Sequence, residues 1–433
     1  MPVTKIADID LDTPRVVYVV NSVIALGFLE GQPRYFQDKG FDVTVLTPER
    51  REGEWQITPS EDIPLLKVPM ERDIHPLRDL ASLWRLCCVI RSLDPAITNV
   101  GTPKAGLLGG LAAWLNRVPC RFYTLHGLRY ETTKGLRRRL LIYAERLACR
   151  FAHRVICVSE SVREGAIASG LANRERTVVF GSGSCNGVDA SRFAATPEIQ
   201  RRAAKLRREL AILDGAPVAA FVGRLTCDKG IPELVEAFVR ISDRIPDLRL
   251  LLVGRYEDGD PLPVQTRRCL DTHPNVIFAG AVQDTAPYYA LADMVILPSH
   301  REGYPIVVLE AQAAGKPVIG AAATGIVDSV VDGETGLLFP VGDVAALAEA
   351  MARLITDKAL AAKLGRAGQQ RVKSDFQQER IWIALYREYL GLLQEKRVPL
   401  PIKPYTEIGT GSVSDGYAHL PRRIAQTDSA SAD

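Results

Sequence analysis

No stretch of this 433-residue chain is apolar for long enough to cross a bilayer as a helix. The longest smooth run, Leu107–Leu115, is about half the length needed. Clustered cysteines are missing too. Cys87, Cys88, Cys120, Cys149, Cys157, Cys185, Cys227 and Cys269 form no Cys-x-x-Cys and no Cys/His grouping, which argues against a disulfide framework and a zinc site. Most have apolar neighbours, as Cys157 does in RVICVS, and read as small core residues; Cys185 sits in a loop, GSGSCNG, that carries other signals. Charge of one sign is also lacking. Lys and Arg number 54 against 51 Asp and Glu, a formal +3, so a general nucleic-acid binder is not expected. The opening MPVTKIADIDLDTPR places four Asp and Lys residues before any apolar run, unlike a secretory signal, and a cytoplasmic protein is expected. There is no internal repeat, and neither metal nor cofactor is expected.

What is present is an ordinary globular composition, 47% hydrophobic and 24% charged, with length for roughly two to three domains. Short β-branched runs alternate with longer helical patterns. Arg15–Val20, Val43–Leu46, Ala96–Val100, Arg121–Leu125 and Val155–Val158 read as buried strands; Leu77–Leu93, Lys104–Asn116 and Leu136–Ala152 read as helices between them. A second series comprises the strands Val218–Val222, Leu248–Val253, Val276–Phe278, Met294–Leu297 and Pro317–Ile319. Pro232–Ile241, Val307–Ala314 and Val344–Leu354 are its helices. Strand–helix alternation implies parallel sheets covered on both faces, so the α/β chain divides into two doubly wound, Rossmann-like domains. The expected boundaries are 1–190 and 191–375, near the loosening glycines Gly181, Gly183 and Gly187. A helix at 376–396 is expected to pack back on the first domain, before a flexible Pro-, Gly- and Ser-rich tail at 397–433.

Two loops could carry chemistry. Gly223-Arg224-Leu225-Thr226-Cys227-Asp228-Lys229-Gly230 follows the strand VAAFV and precedes a helix. Gly223 permits a sharp turn, and Arg224 and Lys229 stand beside free helix N–H groups, a setting suited to a diphosphate. A solvated loop with two ordinary charges is the plainer alternative. The second loop, Ser299-His300-Arg301-Glu302-Gly303-Tyr304-Pro305-Ile306, leads into a helix carrying Glu310, eight residues beyond Glu302. Gly303 permits close backbone approach, and loop carboxylates suit sugar or ribose hydroxyls. Here the alternative is an exposed helix acid and a cap-region acid.

Together, Gly-Arg-x5-Gly and, about 80 residues on, Glu-x7-Glu followed by Ala-x-Ala-x-Gly-x-Pro-Val resemble the retaining glycosyltransferases of family 4 (group 1). The resemblance runs from about Arg15 to Leu393 and includes Asn186-Gly187-Val188-Asp189 and Thr335-Gly336-Leu337-Leu338. It implies the GT-B fold, two Rossmann-like domains facing across a cleft. Arg72-Asp73-Ile74, Thr102-Pro103-Lys104-Ala105-Gly106, Thr124-Leu125-His126-Gly127-Leu128-Arg129-Tyr130-Glu131 and Val158-Ser159-Glu160-Ser161 are similar to its capsular and exopolysaccharide branch. That branch implies sugar addition from a nucleotide-sugar donor, with a UDP-sugar expected ahead of a GDP-sugar, to a glycan acceptor, often a polyprenyl-diphosphate-linked saccharide at the inner membrane face.

The resemblance assigns Arg224 and Lys229 to the donor diphosphate, beside Gly223. It assigns Glu310 to the ribose hydroxyls and Glu302 to the transferred sugar, with backbone amides from Gly303, Tyr304, Pro305 and Ile306. His126 is expected in the sugar site from the opposite domain, and Arg72, Lys104, Arg129 and Glu131 near the acceptor. The segment Gly27-Phe28-Leu29-Glu30-Gly31 lacks the family's paired glycines and receives no assignment. No carboxylate is assignable as covalent nucleophile, so a same-face, ion-pair-like displacement without a metal is expected.

A third stretch, Gly135–Leu147, is basic and amphipathic. It suits an anionic membrane surface and equally a solvated helix face. Two other functions fit the same architecture. A nucleotide-sugar epimerase would need acid/base groups around the sugar ring, where His126 is the sole histidine placed. A non-catalytic sugar-nucleotide binder would not need the Glu302, Glu310, Arg224 and Lys229 set.

Overall fold

The computed structural model describes residues 13–49, 62–71 and 75–401. Arg72 and the tail from residue 402 onward lie outside the described residues. Among the described residues, no helix is long and apolar enough to cross a membrane.

The Val-, Ile- and Leu-rich runs form two sheets. The first contains β1 (Arg15–Val19), β2 (Asp42–Thr47), β3 (Leu65–Lys67), β4 (Ile97–Gly101), β5 (Cys120–Leu125), β6 (Arg154–Cys157) and β7 (Thr177–Val178), ordered β3-β2-β1-β4-β5-β6-β7. The second contains β8 (Val218–Val222), β9 (Arg249–Val253), β10 (Val276–Gly280), β11 (Met294–Leu297), β12 (Val318–Ala321) and β13 (Gly336–Phe339), ordered β10-β9-β8-β11-β12-β13. Every pairing is parallel.

Strand alternation sorts side chains onto two faces. Val17, Val19, Tyr123 and Leu125 pack under the helices Pro76–Leu93, Pro103–Leu115 and Gly135–Phe151, in an apolar cluster that continues into the second sheet. Val16, Tyr18, Val43, Val45 and Phe122 face the other way and meet Leu385, Tyr386 and Tyr389 of the helix Gln378–Glu395. The chain thus crosses back after its second sheet to cover the first. The Tyr389 hydroxyl anchors this crossing, accepting a hydrogen bond from Asn99 Nδ2 at 2.8 Å.

Helix ends differ from the sequence reading in two places that matter. Phe376, expected to open the last helix, is fully buried at the end of a separate helix, Lys358–Asp375. Glu310 is the fifth residue of Ile306–Ala313, a helix that starts one residue before the expected Val307, with Pro305 as its N-cap.

In each sheet the strand order reverses once, between β1 and β4 and between β8 and β11. Loops leaving the carboxyl ends of adjacent strands diverge there and leave a crevice. Since β8 pairs with β11, the two loops singled out in the sequence lie side by side.

Candidate active site

β8 is buried throughout and ends at Gly223, whose φ of +148° favours glycine. The loop closes at Gly230, also left-handed at +70°, where a Cβ would overlap the Pro298 carbonyl. Tight backbone packing between the β8 and β11 loops therefore sets their side chains in register. Lys229 Nζ donates to Glu302 Oε1 at 2.5 Å, although 73 residues separate them. Both side chains are mostly shielded, at 16% and 14% exposure. Arg224 is paired with Glu257, in the loop after β9. His300 contacts Glu233 Oε1 at 2.8 Å, and the hydrogen bond to this carboxylate raises its pKa.

On the other side of the β11 loop, the helix Ile306–Ala313 carries Glu310, whose Oε2 accepts from the Tyr289 hydroxyl at 2.7 Å. Burial pushes the Glu310 carboxyl up to about 7, more than that hydrogen bond and the nearby Arg192 pull it down. Ile306 and Glu310 line a cavity of about 290 Å³ together with Phe28, Asn186 and Arg192. The Tyr304 ring is buried against Phe376 at 5.5 Å, so its side chain serves the interior and leaves its backbone to the loop.

His126 follows β5 and approaches from the first domain. Its ring stacks on Phe28, with centroids 4.9 Å apart and planes at 23°. Burial lowers its pKa to about 4, leaving a neutral imidazole near pH 7. Its backbone abuts the β11 loop: a Cβ on Gly303 would overlap the His126 carbonyl oxygen, and one on Gly127 would lie 3.3 Å from Gly303 Cα. Side-chain bonds cross the cleft nearby: Arg301 donates to Thr132 Oγ1 at 2.9 Å, Thr324 donates to Glu131 Oε1 at 2.9 Å, and Ser161 Oγ accepts from the Gly325 amide at 2.8 Å. Within the second domain Arg301 also donates to Asp228 Oδ2 at 2.8 Å.

Of the residues expected near an acceptor, the three that are described each have a different partner. Lys104 is paired with Asp79 at 2.6 Å, Arg129 acts on the buried Glu145, and Glu131 is held by Thr324 from the second domain. Cys185 lines a small cavity beneath His126, and burial pushes its thiol up to about 12, so it remains protonated. Among the described residues, no group of three or more His, Cys, Asp or Glu is placed to hold a metal ion. The sequence reading left out Phe28, Arg192, Glu257 and Tyr289. Only Phe28, in the unassigned Gly27–Gly31 segment, stood beside a noted signal.

The chain is similar to known proteins over most of its length. Residues 216–357 match the family described as Glycosyl transferases group 1, and residues 30–183 match the Glycosyl transferase 4-like domain. The chain is 33% identical over 382 residues to the capsular polysaccharide biosynthesis glycosyltransferase CapM of Staphylococcus aureus, covering 88% of this chain and 98% of that one. It is 28% identical over 292 residues to the Escherichia coli UDP-Gal:alpha-D-GlcNAc-diphosphoundecaprenol alpha-1,3-galactosyltransferase, covering 67% and 74%. Among solved structures it is similar to Anabaena HepE in complex with UDP and glucose, with a TM-score of 0.73 and 21% identity. That match covers 87% of this chain and all of HepE, and shows the GT-B fold.

Proposed function

The chain belongs to the group 1 glycosyltransferases, and on that premise we propose that it moves a sugar from a UDP-sugar to a polyprenyl-diphosphate-linked saccharide, with retention, in capsule or exopolysaccharide synthesis. The observation that carries this reading is the meeting of Lys229 with Glu302, next to the close backbone approach of Gly303 and His126 from the other domain. The names of the Staphylococcus aureus and Escherichia coli relatives support the pathway and the lipid diphosphate acceptor.

The chemistry follows from charge. Cleaving a glycosyl phosphate leaves negative charge on the diphosphate and oxocarbenium character on the sugar. Arg224 and Lys229, rather than a metal ion, stabilise the first, aided by amides at the start of the helix Ile231–Ser242. Glu302 orients the sugar, and Glu310, ionised, accepts the ribose hydroxyls. His126 is neutral and adds no charge to repel the developing cation. Departing diphosphate then takes the acceptor proton on the face it leaves. Closure of the two domains keeps water from the activated sugar.

A lipid-linked acceptor requires contact with a bilayer. The helix Pro76–Leu93 exposes Leu77, Leu80 and Trp84 along one stripe, and Gly135–Phe151 exposes Leu136, Leu140 and Tyr143 beside exposed Arg137, Arg138 and Arg139. Both helices pack on Pro103–Leu115. Apolar side chains next to arginines suit an anionic lipid surface.

The decisive experiment incubates the protein with a panel of UDP- and GDP-sugars and a diphosphate-lipid-linked saccharide. Elongated product with the donor's anomeric configuration is expected. An isomerised donor would instead indicate an epimerase, and binding without turnover a non-catalytic partner.

A further inference from the structure

The loop after β9 reads Gly254-Arg255-Tyr256-Glu257-Asp258-Gly259-Asp260-Pro261, with three acids in eight residues. Because β9 pairs with β8, this acidic loop runs alongside the loop Gly223–Gly230. The two are fastened along their length. Gly223 N donates to the Val253 carbonyl at 2.9 Å, Leu225 N to the Arg255 carbonyl at 2.8 Å, and Cys227 Sγ to the Pro261 carbonyl at 3.2 Å. A side chain at Gly254 would overlap the Gly223 carbonyl, and the Arg267 guanidinium covers the Tyr256 ring at 3.6 Å.

This fastening presents carboxylates to the groups that favour anions. Glu257 pairs with the Arg224 guanidinium, and Asp260 Oδ2 accepts from the Asp228 amide at 2.8 Å. The Arg224 side chain is 40% exposed, so the pair can be approached from solvent. Glu257 receives no role toward the donor, yet it holds the cation assigned to the diphosphate.

We propose that Glu257 is a built-in competitor for the donor diphosphate, a carboxylate that holds Arg224 in the empty enzyme and reclaims it after transfer, hastening release of the nucleoside diphosphate. The proposal rests on the donor-site reading above. It assigns Glu257 a function opposite to that of a residue that merely orients Arg224: removing the charge should tighten product binding.

The test titrates the full chain with UDP, GDP and uridine, by calorimetry, for the natural protein, Glu257→Gln and Glu257→Ala. Both variants should bind UDP about two- to fivefold more tightly, the range for a partly exposed ion pair, and uridine with unchanged affinity. Thermal melting identifies whichever variant is folded, and either one suffices. Natural protein that binds UDP while a folded variant binds it equally or more weakly would overturn the competing role alone. Natural protein that binds neither UDP nor GDP would overturn the donor site, and this proposal with it.

Discussion

Gly303 and His126 meet backbone to backbone across the two domains, with no room between them for a methyl group on Gly303. The sugar site proposed here would be framed by these two loops from different sheets, which approach closely because Gly303 carries a hydrogen atom in place of a side chain. Gly303→Ala should hold the domains apart and lower kcat/KM by about 10²-fold, the scale of a reacting group displaced by about an ångström. Thermal melting of the variant should stay close to that of the natural protein. Near-normal kcat/KM would mean that the interface relaxes without consequence.

Lys229→Ala and Glu302→Gln address the charges themselves. Each should reduce turnover by about 10²-fold or more, since a preorganised group acting on transition-state charge contributes about 3–4 kcal/mol. Circular dichroism and melting should show an intact fold. Normal rates in both variants would remove these residues from the mechanism.

Much of this arrangement was legible in the chain. Strands such as Val218–Val222 and Leu250–Val253 are buried on both faces, so their composition announces them, and a glycine-bearing loop at the end of such a strand marks the crevice. The short strands β3, β7 and β13 were not, because two to four residues carry no period. The helix Lys358–Asp375 was hidden by its glycines. Gly365 lies against the Gly315 backbone and Gly368 against Gln312, so tertiary packing overrides their poor helix propensity. Nor could spacing reveal that Glu131 joins Thr324, or that Glu257 reaches Arg224. Such pairs exist only once sheet order brings distant loops together.

The ribose-binding role proposed for Glu310 predicts a pH dependence of donor binding. With its pKa near 7, it is largely protonated at pH 6 and largely ionised at pH 8. Only the carboxylate can accept both ribose hydroxyls, so UDP affinity should rise roughly tenfold over that interval. Glu310→Gln should flatten the dependence. Calorimetric titrations at the two pH values, with Tyr289 and Arg192 unchanged, would contradict the assignment if the natural protein showed no difference.

The exposed stripe on the first domain predicts membrane binding that combines apolar and ionic parts. Replacing Trp84, Leu136 and Leu140 together by serine should reduce cosedimentation with phosphatidylglycerol vesicles severalfold. Replacing Arg137, Arg138 and Arg139 by glutamine should chiefly weaken the salt-sensitive component. Vesicle binding unaltered in both variants would place the bilayer contact elsewhere or remove it.

Glu145 makes a prediction about stability alone. It is 6% exposed within the helix Gly135–Phe151 and accepts a hydrogen bond from the Tyr123 hydroxyl, yet burial lifts its pKa from 4.5 to about 7. The folded protein therefore retains a proton there that the unfolded chain releases. Stability from this group is fully present below pH 4.5 and is lost as pH rises to 7, by on the order of 3 kcal/mol in total. Glu145→Gln preserves a side-chain acceptor for Tyr123 and cannot ionise, so its stability advantage over the natural protein should grow between pH 5 and 7 and then level off. Denaturant unfolding of both proteins across that range checks the slope. A difference that stays constant with pH would mean that Glu145 ionises normally in the folded state.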